Sequence, residues 1–65
     1  MRSPVEFHVL PCGHRWVLSR DGTRIAMFDT KQETIEAACD QAQAERNSAI
    51  VVHDGGGHVR ERLHS

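Results

Sequence analysis

Positions 8 to 14 carry His8, Cys12 and His14 in the spacing H-x3-C-x-H. Imidazole and thiolate are borderline-soft donors suited to Zn²⁺, and Cys39 or His58 could supply a fourth. The spacing is not a paired-ligand pattern, and a strand ending at Pro11 would hold His8 apart from the two loop residues. The expectation is no bound metal and no cofactor, with His8, Cys12 and His14 as ordinary surface residues. Cys12 and His14 also set a thiol beside a base. Nucleophilic catalysis further requires an orienting group and an oxyanion site in a concave pocket, for which 65 residues leave little room. The chain is therefore not expected to be an enzyme.

Two further patterns have chemical potential. Asp54-Gly55-Gly56-Gly57 could turn successive backbone N–H groups toward a phosphate, but no Lys-Ser/Thr and no helix follow it, so a hairpin connection is the simpler reading. Arg15, Arg20, Arg24, Arg60 and Arg62, with Trp16 as a stacking platform, could meet a polyanion. Against that, a strand tryptophan two positions before Leu18 reads as a core or rim residue, and strand arginines commonly solubilise an edge. His8 and His53, set among apolar strand residues, read as satisfied, partly buried histidines.

The elements that must position these side chains are short. VEFHVL alternates, with Val5, Phe7 and Val9 on one side, and Pro11 is expected to end the strand. WVLSR and RIAMF follow as strands joined through Asp21-Gly22, a pair suited to the positive φ values of a type I′ turn. Thr30-Lys31-Gln32-Glu33 fits the capping box that opens a helix. Ile35, Ala38, Cys39 and Ala42 then repeat as one buried face, while Glu36, Asp40, Gln43 and Arg46 stay wet. AIVVH and VRERLH complete the chain as strands around the glycine cluster. The fold class read from this is α+β, β-β-β-α-β-β, with an all-antiparallel sheet in the order 3-2-1-5-4 and one helix packed on the face of Phe7 and Val9. Residues 1–65 form a single domain in this reading.

Composition narrows the function. Eight Lys+Arg against nine Asp+Glu give no global basic excess. The sum conceals a local +2 over residues 1–28 and a local −3 over residues 29–47, so a polyanion would have to approach the N-terminal strands or Arg60 and Arg62. No apolar run approaches the ~20 residues of a membrane span, and the N-terminus lacks a signal-peptide core. The reading is cytoplasmic, with Cys12 and Cys39 as free thiols.

In order along the chain, HVLP, a glycine shortly before Trp16, FDTKQETIEAA and VVHDGGGHVRER resemble a small bacterial family, domain of unknown function 2188 (DUF2188). The positions that carry the resemblance are His8, Pro11, Trp16, Phe28, Thr30, Lys31, Ala37, His53, Val59 and Glu61. Cys12, His14, Asp54 and the Leu63-His64-Ser65 close depart from its pattern, so thiol or metal chemistry there would be peculiar to this chain. The resemblance implies a fold and no activity. Residues 16 to 42 are more loosely similar to the arm-type DNA-binding domains of phage integrases. The favoured function is a non-enzymatic protein-interaction or structural module acting as a homo-oligomer. The alternative is a nucleic-acid-binding domain that uses the sheet face or edge.

Overall fold

A computed structural model describes residues 4–45, 47–53 and 59–64, the last six by their backbone alone. Strand β1 (Val5–Cys12) turns back into β2 (Arg15–Arg20), which turns into β3 (Thr23–Phe28). Helix α1 (Lys31–Gln43) leads to β4 (Ser48–His53), and β5 (Val59–His64) follows. The class is α+β, as the alternation and the capping box indicate. One sheet holds all five strands in the order β3-β2-β1-β4-β5.

The local signals of the meander are realised in detail. Asp21 and Gly22 adopt φ values of 47° and 87°, the two positive angles of the expected tight turn. Asp21 is tied further to β1: its Oδ1 accepts from the Glu6 N–H at 2.9 Å, and its own N–H donates to the Glu6 carbonyl at 2.8 Å. The β1–β2 turn is tighter than a four-residue loop, because Cys12 pairs directly with Arg15 and Gly13 takes φ 63°. Pro11 does not end β1; it pairs with Trp16. The parallel pairing of β1 with β4 stops at Val9↔Val52, so at Pro11 the strand has its partner on one side only, and a missing N–H is tolerated there.

The sheet is mixed and not all antiparallel. β1 runs parallel to β4 in the register Val5↔Ser48 to Val9↔Val52. The helix explains this. Thirteen helical residues carry the chain back along the sheet, so β4 starts from the same end as β3 and, through the meander, as β1. The order of the last two strands is also the reverse of the expected 5-4. β4 is buried from Ser48 through Val52 and takes the interior place that a strand apolar on both faces requires. The charge-rich β5 is left at the edge.

Helix α1 begins as its sequence indicates. The Thr30 hydroxyl accepts from the Glu33 N–H at 3.1 Å and donates to Glu33 Oε1 at 2.9 Å. The buried stripe is Thr34, Ala38 and Ala42, with Ile35 and Cys39 half-buried beside it. Thr34 lies outside the expected apolar face. Its hydroxyl donates to the Thr30 carbonyl at 2.8 Å, so a polar side chain enters the interface without an unpaired group. Small residues let α1 lie close on Phe7, Val9, Leu18, Ile50 and Val52, which complete the core. At the far end the Ser48 hydroxyl donates to the Ala42 carbonyl at 3.3 Å, joining the helix C-terminus to β4. Among the described residues no helix is long and apolar enough to cross a membrane.

Candidate functional site

Strand alternation sends Phe7, Val9 and Leu18 toward α1 and sends Glu6, His8, Leu10, Val17 and Ser19 to the opposite face, which the helix leaves open. On β4 the same parity places Val51 and His53 on that open face. His8 is the register partner of Val51, and His53 stands two residues farther along. The result is a contact between side chains 45 positions apart: His8 Nδ1 lies 2.9 Å from His53 Nε2. On its other side His8 Nε2 lies 2.6 Å from Glu6 Oε1.

The donor directions follow from valence. An ionised carboxylate can only accept, so His8 carries its hydrogen on Nε2 and donates it to Glu6. A neutral His8 then presents a lone pair at Nδ1, which accepts from the Nε2–H of His53. The row Glu6, His8, His53 is thus a directed chain in which each partner fixes the tautomer of the next. The His8 side chain is 25% exposed and that of Glu6 41%, so solvent reaches the row from above.

Beside it lies an open groove of about 430 Å³. Leu10, Pro11 and Val17 give it an apolar lining, and His8, Cys12, Ser19 and Arg24 supply polar groups. Arg24 is exposed and has no acidic partner among the described residues. Cys12 and Cys39 are free thiols.

The structure divides the residues singled out for metal or anion chemistry. His8 does not converge with Cys12 and His14: its ring is engaged by Glu6 and His53, and His14 is exposed in the β1–β2 turn. Among the described residues no three His, Cys, Asp or Glu side chains gather around a common point. Of the arginines, Arg15 Nε lies 3.1 Å from Asp29 Oδ1, and Arg20 Nη2 lies 2.6 Å from Glu45 Oε1. Arg20 also lies over the Phe7 ring at 5.8 Å. Trp16 packs against the helix-side core, with Lys31 Nζ 5.8 Å from its ring centre. Arg24 faces the opposite groove, so these side chains do not form one cationic face. The side chains of Arg60 and Arg62, and the whole of Asp54-Gly55-Gly56-Gly57, lie outside the described residues.

His8 and His53 are the half-buried, hydrogen-bonded strand histidines that the sequence indicates, but their contact with each other was not foreseen. The signal that could have found it was positional: two strand histidines, each among apolar residues, come together once β1 and β4 are set side by side. The other pattern positions have structural work. Thr30 caps α1, Trp16 and Phe28 pair across β2 and β3 and pack on the core, and Pro11 lies where β1 passes beyond β4.

The chain matches the family described as an uncharacterized protein conserved in bacteria (DUF2188) over residues 7–64. No curated protein and no solved structure matches the chain.

Proposed function

The chain belongs to the DUF2188 family, and from that premise we propose that it is a non-enzymatic interaction module that works as a homo-oligomer, most simply a two-fold dimer joined through β5. The observation that carries this reading is the place of β5 at the sheet edge, with β4 as its only neighbour among the described residues. Its register is irregular between Val52 and His53 of β4 and regular from Glu61 to His64, which leaves a straight stretch able to pair with its own copy. The opposite edge is less suited. β3 carries an extra residue at Ile25, where the register jumps from Leu18↔Ala26 to Ser19↔Arg24, and such bulges blunt edge pairing. The core supports the same reading, since two of the three fully buried helix side chains are alanines and a partner would add burial.

Sedimentation equilibrium on the full chain at micromolar concentration tests the proposal. A dimer mass is expected, and a proline in place of Glu61 or Arg62, whichever N–H points away from β4, should yield monomers that keep the wild-type circular dichroism. A single-chain mass unchanged on concentrating overturns the reading. A dimer dissociated by Ile25→Lys and untouched by both prolines would transfer the interface to β3 and overturn the role of β5. Retention on a polyanion column that falls steeply with salt would favour the nucleic-acid alternative, in which each phosphate contact steepens the dependence.

A further inference from the structure

We propose that His8 Nδ1 and His53 Nε2 form a two-nitrogen binding site for a tetrahedral divalent cation, with Zn²⁺ as the fitting ion and Glu6 as the carboxylate that orients His8. The geometry of the two rings carries this. Their centres stand 5.2 Å apart, their planes meet at 31°, and the facing nitrogens are 2.9 Å apart. In a tetrahedral zinc site with Zn–N bonds of about 2.0–2.1 Å, two imidazole nitrogens lie about 3.3–3.4 Å apart and their ring centres about 5.2 Å apart. The ring centres are therefore already at the required separation. The nitrogens face each other in line, so each ring must turn by about 35°, opening the nitrogens by roughly half an ångström, to bring both lone pairs onto one ion.

The tautomers fit as well. Glu6 holds the His8 hydrogen on Nε2, which leaves Nδ1 as the lone-pair nitrogen, and a carboxylate behind a ligating histidine is the usual outer-shell arrangement of zinc sites. Binding replaces the His8–His53 hydrogen bond: His53 gives up the Nε2–H that it donates to His8 in the metal-free row and takes the Nδ1–H tautomer. No proton is released, because both rings bind as neutral imidazoles. The ligands come from adjacent strands: His8 lies within the parallel β1–β4 register, and His53 follows Val52, the last residue of β4 paired to β1. No third His, Cys, Asp or Glu completes a metal-binding group with the pair among the described residues, and the His8 side chain is 25% exposed, so an ion can reach it from solvent. This site shares His8 with the H-x3-C-x-H pattern and has His53 in place of Cys12 and His14. It also leaves the fold independent of metal, because the apo pair is satisfied by its own hydrogen bond.

The test uses the full, untagged chain, titrated with ZnCl₂ and followed by calorimetry and by the ring ¹⁵N shifts of the histidines. One ion per chain is expected, with the large shifts at His8 Nδ1 and His53 Nε2. Replacing the three other histidines together, His14→Gln, His58→Gln and His64→Gln, should leave the affinity within about threefold of wild type. His53→Gln should weaken binding at least tenfold, and Glu6→Gln by 10–100-fold, as loss of an outer-shell partner typically does. Shifts confined to the other histidines, binding abolished by the triple replacement, or no binding up to millimolar zinc would each overturn the site. The wild-type shifts decide the matter even if a His8 or His53 variant fails to fold.

Discussion

The two faces of the sheet are built from alternate residues of the same strands and obey different rules. On the covered face Phe7, Val9, Leu18, Ile50 and Val52 meet a helix stripe of Thr34, Ala38 and Ala42, and shape decides what fits. On the open face Glu6, His8, His53, Ser19 and Arg24 stand among Leu10, Val17 and Val51, and hydrogen-bond direction decides. A fully buried aromatic contributes on the order of 1.5–3 kcal/mol by leaving water, whereas a half-exposed hydrogen bond contributes about 0.5–1.5 kcal/mol. The covered face therefore holds most of the fold, with Val17 and Val51 buried on the other face as well, and the polar side chains of the open face are left to carry specificity.

The comparison breaks most sharply at Phe7, which is fully buried. Phe7→Ala should cost about 3–5 kcal/mol, read as a lower urea midpoint at unchanged slope, and in a domain this small it should leave much of the chain unfolded. Ala38→Leu tests closeness instead of burial. Extra methylenes have no room between α1 and the sheet, so a loss of about 1–3 kcal/mol is expected in the same titration. Thr30→Ala removes the helix cap and should cost about 1 kcal/mol, with a small drop in helical ellipticity. On the open face Arg24→Ala should leave stability within about 0.5 kcal/mol of wild type, because the side chain is exposed and has no acidic partner among the described residues. If Arg24→Ala cost as much as Ala38→Leu, the division between the faces would fail.

What could be read from the sequence follows the same division. The Asp21-Gly22 turn, the Thr30 cap, and the covered face with Phe7 and Val9 are local, set by residues within a few positions of one another. The direction of β4 is not local. Whether AIVVH returns parallel or antiparallel depends on which end of the sheet a 13-residue helix delivers it to, and the alternation of AIVVH is the same either way. The contact of His8 with His53 inherits that ambiguity, because it exists only when β4 lies beside β1 in the parallel register. Thr34 was obscured for a different reason. A threonine on an otherwise small-residue stripe is apolar in effect once its hydroxyl turns back to the Thr30 carbonyl. Pro11 misled because its cost depends on which neighbour is present at that point of the strand.

The parallel seam between β1 and β4 also sets a timetable. The β1–β2–β3 meander closes through two tight turns and can assemble within microseconds of collapse, but Val5↔Ser48 and its neighbours join positions some forty residues apart. That loop cannot close until the meander and helix between its ends have shortened it, so docking of β4 should limit the folding rate. Substitutions at Val9 or Val52 should then slow refolding nearly in proportion to the stability they remove, while substitutions that weaken only the Gly13 turn should act earlier and barely register in the rate-limiting step.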